Sequence, residues 1–106
     1  MQPGCPMPPA KPYQFHPEAW QEFETADNWY RQQSPDASIR FVAAIYDALE
    51  DIARWPQTWP ACLHGTRRFV LQKFPYAVVY REKESSVQIL AIAHGHRRPG
   101  YWKDRL

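Results

Sequence analysis

The spacing of apolar residues divides the chain into two parts with different periods. Between residues 17 and 54, apolar side chains recur every three or four positions, which is the period of an amphipathic helix. The first stripe contains Trp20, Phe23 and Tyr30, and the second contains Ile39, Val42, Ile45, Leu49 and Ile52. This pattern predicts two helices that bury one face each.

Prolines mark the limits of these helices. His16-Pro17-Glu18 is typical of a helix start, with proline at the first helical position and an acid in the first turn. Ser34-Pro35-Asp36 interrupts the pattern and starts it again. Trp55-Pro56 ends the second helix, because the residue before a proline is disfavoured in helical geometry. Two helices joined by so short a link form an antiparallel hairpin.

After a loop over residues 56–65, the chain changes to short β-rich runs over residues 67–73, 76–82 and 87–93. The connections between them are short, which favours an antiparallel meander of three strands. Tyr13-Gln14-Phe15 supplies a candidate fourth strand before the first helix. The pattern therefore predicts an α+β fold of two layers, with an N-terminal strand and an antiparallel helix hairpin packed on a three- to four-stranded, mostly antiparallel sheet.

The 106 residues are enough for one domain, which we place at residues 12–106. Residues 1–11 form a Pro-rich leader that we expect to be disordered, and Met7 is a second candidate for the natural start. The leader lacks the features of a signal peptide, and the sequence has no apolar run long enough to span a membrane. We therefore expect a cytoplasmic protein in which Cys5 and Cys62 stay reduced.

The net charge of +2 conceals two halves of opposite sign. Residues 1–53 contain three basic and eight acidic residues, whereas residues 54–106 contain ten basic and three acidic residues. The basic half ends in a tail, from His94 to Arg105, that combines histidines, arginines and a Tyr-Trp pair. Such a tail needs an acidic partner, either nucleic acid or protein. Mutual attraction between an acidic helical layer and a basic sheet is the simpler alternative.

Several of these motifs resemble those of the RelE/ParE superfamily of toxins from type II toxin-antitoxin modules, whose members are often labelled plasmid stabilisation proteins. The similar segments are Phe15-His16-Pro17-Glu18-Ala19, Trp29-Tyr30, Phe74-Pro75-Tyr76-Ala77-Val78-Val79-Tyr80-Arg81 and the tail. The resemblance covers residues 12–105. It implies a bacterial growth inhibitor that binds a cognate antitoxin in a hetero-oligomer.

The superfamily contains two activities, and the resemblance leaves both open. RelE-like members cut messenger RNA on the ribosome without a metal, whereas ParE-like members poison DNA gyrase. Aligned on the Phe74-Pro75-Tyr76 turn, Arg68, Arg97 and Tyr101 match RelE-like positions. Val70 and Ala77 stand where that pattern has cations. Because the strand cations are depleted, we favour the ParE-like activity. A non-toxic, antitoxin-binding co-regulator is a third possibility.

If the chain is a nuclease, its candidate catalytic residues are His94, His96, Arg97, Tyr101 and Arg68. His94 and His96 alternate along what the pattern predicts to be an extended segment, so both would face one side and could act as base and acid. The alternative is that His94 caps the strand while His96 is solvated. Adjacent residues on an extended chain point to opposite sides, so we expect Arg97 and Arg98 to face opposite ways. Arg98 could then pair with an acid of the hairpin.

If the tail instead binds a target, the candidate set is wider. Tyr101 and Trp102 could stack on nucleic-acid bases, although an aromatic pair after Pro-Gly more often packs the chain end onto a core. The complete set of candidate binding residues is Arg67, Arg68, Lys73, Arg81, Arg97, Arg98, Tyr101, Trp102 and Arg105. We expect no cofactor and no metal, since Cys62, His64, His94 and His96 lack the usual spacing of zinc ligands.

Overall fold

The computed structural model describes residues 9–106, so most of the predicted leader lies outside the described residues. The elements, in chain order, are β1 (Tyr13–Phe15), α1 (Pro17–Gln33), α2 (Pro35–Arg54), β2 (Arg67–Val70), β3 (Tyr76–Glu82) and β4 (Val87–His94), with short 3₁₀ turns at Leu63–Gly65 and Lys103–Arg105. Lys11, which we had placed in the leader, is tied to the domain. Its backbone N–H donates to Ala53, and its Nζ pairs with Glu82 at 2.7 Å.

The predicted helix hairpin is confirmed, and a single residue joins its two helices. Ser34 ends α1 by donating its N–H to Tyr30 at 3.0 Å. The same residue begins α2, because its hydroxyl accepts from the N–H of Ala37 at 3.0 Å. An extended residue between two helices satisfies orphan backbone groups of both, which is what lets the chain reverse without a longer loop.

The four-stranded sheet has the order β1-β4-β3-β2. The predicted meander is confirmed as two antiparallel pairs, β2 with β3 and β3 with β4. The candidate N-terminal strand is also confirmed, and it pairs in parallel with the start of β4, Tyr13 opposite Val87. Strand β1 is short, so β4 extends well past it, and β2 forms the other edge of the sheet.

Each face of the sheet has its own apolar cluster. The helices cover one face, where Phe41, Ile45, Tyr80 and Ile89 are completely buried. On the other face, which we call the outer face, Val79, Leu90 and Ala91 pack against Trp102 of the tail. A bulge at the β3–β4 pairing makes this possible, because it turns the consecutive residues Leu90 and Ala91 to the same side.

Two predicted details of the second half were wrong. Strand β2 ends at Val70 rather than at Lys73, because residues 72–75 form the turn into β3. The chain after His94 is not extended, since Gly95 and His96 form a turn closed by the Arg97 N–H donating to His94 at 2.9 Å. This turn sends the tail back across the edge of the sheet.

The double role of Ser34 gives a stability prediction. Replacing Ser34 by Ala removes the acceptor for the first turn of α2, and we expect the free energy of unfolding to fall by about 1 kcal/mol. Urea denaturation followed by circular dichroism measures this loss. Ser85→Ala, in the exposed turn between β3 and β4, is the matched control and should change stability little. Equal stability of the two variants would show that the cap is unimportant.

Candidate functional site

A groove of about 320 Å³ lies on the outer face of the sheet, between β2 and the tail. Its floor is apolar and includes Val70, Ala77, Val79 and Ala93. Its rim carries the guanidinium groups of Arg68, Arg97 and Arg98, and none of the described lining residues is acidic. We call this the arginine groove. A surface with an apolar floor and a cationic rim suits an amphipathic, acidic partner.

His94 lies at one end of the arginine groove and contacts the second tail histidine, His96. Their rings stack with centroids 5.0 Å apart, and His94 also meets the Tyr76 ring edge-on at 5.1 Å. His94 Nδ1 accepts the His96 backbone N–H at 3.1 Å. The histidines are therefore brought together, as expected, although a turn does this rather than strand alternation. The hydrogen bond at Nδ1 leaves Nε2 as the ring nitrogen of His94 available to a ligand.

Arg97 is held over the ring of Tyr101. The guanidinium carbon lies 3.9 Å from the ring centroid, which is close for a cation–π contact. The contact folds an exposed arginine onto the tail instead of leaving it free in solvent. The position of Arg97 therefore depends on the position of Tyr101.

Tyr101 is in turn fixed by Glu22 of α1. The Tyr101 hydroxyl donates to Glu22 Oε2 at 2.8 Å, and the two terminal nitrogens of Arg105 donate to the same carboxylate at 2.9 and 3.0 Å. Arg105 and Glu22 expose only 9% and 18% of their side chains, so solvent screens this ion pair weakly. A forked guanidinium on a carboxylate gives directional as well as electrostatic stabilisation.

Glu22 and Arg105 also cap the edge of β4. Beyond the end of β1, the Ile92 N–H donates to Glu22 Oε1 at 3.0 Å, and the Leu90 carbonyl accepts from Arg105 at 2.9 Å. One carboxylate and one guanidinium thus stand where a neighbouring strand would be. This satisfies backbone groups that would otherwise be unpaired at a largely buried edge. We call the arrangement of Glu22, Tyr101, Arg105 and the β4 edge the tail junction.

The tail junction raises the pKa of both Tyr101 and Arg105. Burial, followed by the hydrogen bond to Glu22 and its charge, raises the pKa of Tyr101 far above the ordinary value for a phenol. For Arg105, burial lowers the pKa, but the hydrogen bond and charge of Glu22 outweigh it and raise the pKa overall. At neutral pH Tyr101 is therefore a hydrogen-bond donor, and Arg105 is a cation.

The candidate binding residues are not all in one place. Arg68, Arg97, Arg98, Tyr101 and Trp102 line the arginine groove. Trp102 is only 2% exposed and packs in the outer-face cluster, so its ring contributes to the core rather than stacking on a partner.

Apart from Arg105 of the tail junction, three other predicted cations lie away from this groove. Arg67 donates to the Trp59 carbonyl, Arg81 donates to Gln88, and Lys73 borders a different groove beside α2. The prediction thus included the three arginines of the rim, but it also included cations that do not line the groove. Since β2 alternates, Arg67 faces the helices while Arg68 faces outward.

Sequence reasoning missed Glu22, the residue on which the tail depends. It lies on α1 three residues after Ala19 and four before Ala26, so its spacing places it on the buried side of the helix, but the apolar stripe that we followed contained only Trp20, Phe23 and Tyr30. The sequence had also left open a pairing of Arg98 with an acid of the hairpin. In the structure Arg105 pairs with Glu22 and Glu18, because the turns after His94 place the last residues, not Arg98, beside α1.

Two properties of residues 9–106 bear on other kinds of function. Neither helix in this part of the chain combines the length and apolarity needed to cross a membrane. Within the same residues, no three His, Cys, Asp or Glu side chains are grouped as a metal site requires.

Comparison with known proteins matches residues 13–99 to the family model described as "ParE toxin of type II toxin-antitoxin system, parDE". This segment spans every strand and helix of the fold and most of the arginine groove. The chain belongs to the ParE toxin family. The resemblance inferred from its motifs is therefore confirmed at the level of the superfamily.

Individual relatives agree with this assignment. A putative toxin, Y4kP, of Sinorhizobium fredii is 34% identical over 71 residues, which cover 66% of this chain and 73% of the relative. Toxin ParE2 of Mycobacterium tuberculosis is 29% identical over 75 residues, or 70% of this chain and 71% of that toxin. This ParE-family chain therefore spans most of the length of both relatives.

A solved structure shares the fold. The structure described as a chromosomal ParDE TA system from P. aeruginosa superimposes with a TM-score of 0.59 at 19% identity. The match covers 80% of this chain and 96% of the other. At this identity the comparison supports the two-layer architecture, with its N-terminal strand, and it confirms the predicted fold class.

The hydroxyl of Tyr101 gives a direct test of the tail junction. Tyr101→Phe keeps the ring beneath Arg97 but removes one donor to the Glu22 carboxylate, so we expect the free energy of unfolding to fall by about 1.5 kcal/mol. Urea denaturation measures this change. Tyr46→Phe is the matched control, since Tyr46 is 40% exposed on α2. If both variants unfold alike, the Tyr101 hydroxyl does not hold the tail.

Proposed function

We propose that this ParE-family protein inhibits bacterial growth by binding DNA gyrase, and that a cognate antitoxin neutralises it by covering the arginine groove. The observation that carries the proposal is the chemistry of the groove: its cations stand only on the rim, and its floor is apolar. Val70 and Ala77, which occupy positions where RelE-like nucleases have cations, both contribute to that floor.

The geometry of the tail junction also favours binding over catalysis. A nuclease needs a base for the 2′-hydroxyl and an acid for the leaving oxygen, both placed at the scissile phosphate. Tyr101 has a raised pKa and keeps its proton in a hydrogen bond to Glu22, so it is poorly suited to act as a base. Arg97 packs on Tyr101 and stays at the rim. A cationic rim over an apolar floor offers docking chemistry instead.

An acidic, amphipathic antitoxin segment would match the arginine groove in both respects. Its carboxylates would pair with Arg68, Arg97 and Arg98, and its apolar side chains would cover Val70 and Val79. The P. aeruginosa protein with the same fold is described as part of a ParDE toxin-antitoxin system, which supports a partner of this kind. Segments that fold on binding can cover such a surface completely.

The gyrase prediction is tested with purified components. Added to a bacterial DNA gyrase and relaxed plasmid, the protein should suppress supercoiling in proportion to its concentration. The double variant Arg97→Ala/Arg98→Ala should need at least ten times more protein for the same inhibition, because two rim cations are lost. Arg31→Ala/Lys83→Ala removes the same charge away from the arginine groove and should inhibit like the wild type. Full inhibition by the groove variant would contradict a docking role.

Ribosomes programmed with a defined messenger distinguish the alternative activity. The stacked His94 and His96 beside Arg97 are the observation that keeps an endoribonuclease as the second candidate. We expect the message to remain intact when the protein is added. Codon-positioned cuts that disappear in His94→Ala/His96→Ala would contradict the gyrase proposal and establish the nuclease. Inactivity in both assays, with antitoxin binding retained, would instead support the non-toxic co-regulator.

A further inference from the structure

We propose that the antitoxin also adds a β-strand to the edge of β2, with apolar side chains facing α2 and acidic side chains facing the outer face. This inference rests on the proposed function and specifies how the partner is held. The surface concerned adjoins the floor of the arginine groove at Val70 and extends away from it toward α2. It consists of the open edge of β2 and the concavity between that edge and α2.

The free part of the edge centres on Val70. The Leu71 N–H points inward, donating to Tyr76 at 3.0 Å, whereas the Arg68 N–H points outward, donating to Pro60 at 3.0 Å. Backbone groups alternate in direction along an antiparallel strand, so the N–H and C=O of Val70 also point outward. Within residues 9–106, the segment that pairs with this edge is the one around Ala61, and it reaches only the start of β2.

Val70 is an apolar strand residue that is 57% exposed. Open, apolar strand edges are normally shortened, charged or covered, because they recruit other strands. Part of this edge is covered by the segment around Ala61, but the cover stops before Val70. The uncovered part of the edge, around Val70, can therefore pair with a short extended segment.

The concavity beside the edge fits one face of such a segment. It has a volume of about 670 Å³, and its apolar lining includes Ala44 and Ala48 of α2 with Phe69 and Leu71. Side chains of an added strand alternate between the two faces of the sheet. Those on the helix side would enter this concavity, and small alanines on α2 leave room for aliphatic side chains there.

The charged residues around the β2 edge favour an acidic partner. Asp47 and Asp51 border the concavity together with Arg40 and Lys73, so its lining has no net charge and suits apolar side chains on the helix side of the added strand. Arg68 lies on the outer face of β2, next to Val70, and attracts acidic side chains on the other side. A second copy of this chain, paired antiparallel about Val70, would place Arg67 of one copy opposite Lys73 of the other, which like-charge repulsion opposes. An acidic, alternating segment of the antitoxin satisfies all three constraints.

The decisive variant is Val70→Pro. Proline removes the outward N–H without removing a hydrogen bond to β3, and proline is tolerated at the outward positions of edge strands. Val70→Ala is the matched control, since it truncates the same side chain and keeps the N–H. Circular dichroism and urea denaturation of both variants verify that each is folded.

Binding is measured by calorimetry with the purified protein encoded by the reading frame adjacent to this chain's gene. We expect Val70→Pro to bind at least tenfold more weakly than Val70→Ala. We also expect exchange of the Val70 amide proton in the wild type to slow at least tenfold in the complex. Equal affinities of the two variants, or an unprotected Val70 amide, would overturn strand addition.

The outcomes separate this inference from the proposed function. Equal affinities together with tight binding would overturn strand addition and leave an antitoxin docked at the arginine groove alone. No binding to the wild type would overturn both. Gyrase inhibition by the wild type is measured without the partner, so its result tests the proposed function and not strand addition. A protein that dimerises through β2 would be detected by sedimentation and would replace the antitoxin as the occupant.

Discussion

The carboxylate of Glu22 is the point on which the arrangement of the tail depends. It accepts hydrogen bonds from a strand N–H, a phenol and a guanidinium, and these come from β4, Tyr101 and Arg105. A charge that is only 18% exposed would destabilise the fold if it were unpaired. Here its partners compensate for the loss of water, and their hydrogen bonds connect the helix hairpin, the sheet edge and the tail.

The junction explains why a basic tail can act as a shaped surface. Exposed arginines on a free chain end would sample many positions, and a partner would have to order them at an entropic cost. With Tyr101 fixed, Arg97 is held 3.9 Å from its ring and stands at the rim of an apolar floor. Trp102 fixes the same segment from the other side by packing on Leu90. The arginine groove is therefore largely preorganised for binding.

Sequence patterns predicted the parts of this structure that depend on local chemistry. The helix boundaries at Pro17, Ser34 and Trp55 follow from proline geometry and capping, and the meander follows from alternation and short turns. The rim residues Arg68, Arg97 and Arg98 were located because the charges are concentrated in the second half of the chain.

What could not be predicted depends on contacts between distant residues. Glu22 is 83 positions from Arg105, and although its spacing from Ala19 and Ala26 places it on the buried side of α1, no local pattern identifies its partner. The burial of Trp102 likewise depends on the bulge that turns Leu90 outward. The open edge at Val70 emerges only once strand order places β2 outside and the cover around Ala61 ends short of it.

A double-mutant cycle on Glu22 and Arg105 is the most direct test of this account. The free energies of unfolding of Glu22→Gln, Arg105→Gln and the double variant would be measured in urea beside the wild type. If the junction holds the tail, each single change leaves a partner unpaired, and the coupling energy should be about 2 kcal/mol. Strictly additive effects would mean that Glu22 and Arg105 stabilise the fold independently, and that the tail is held in some other way.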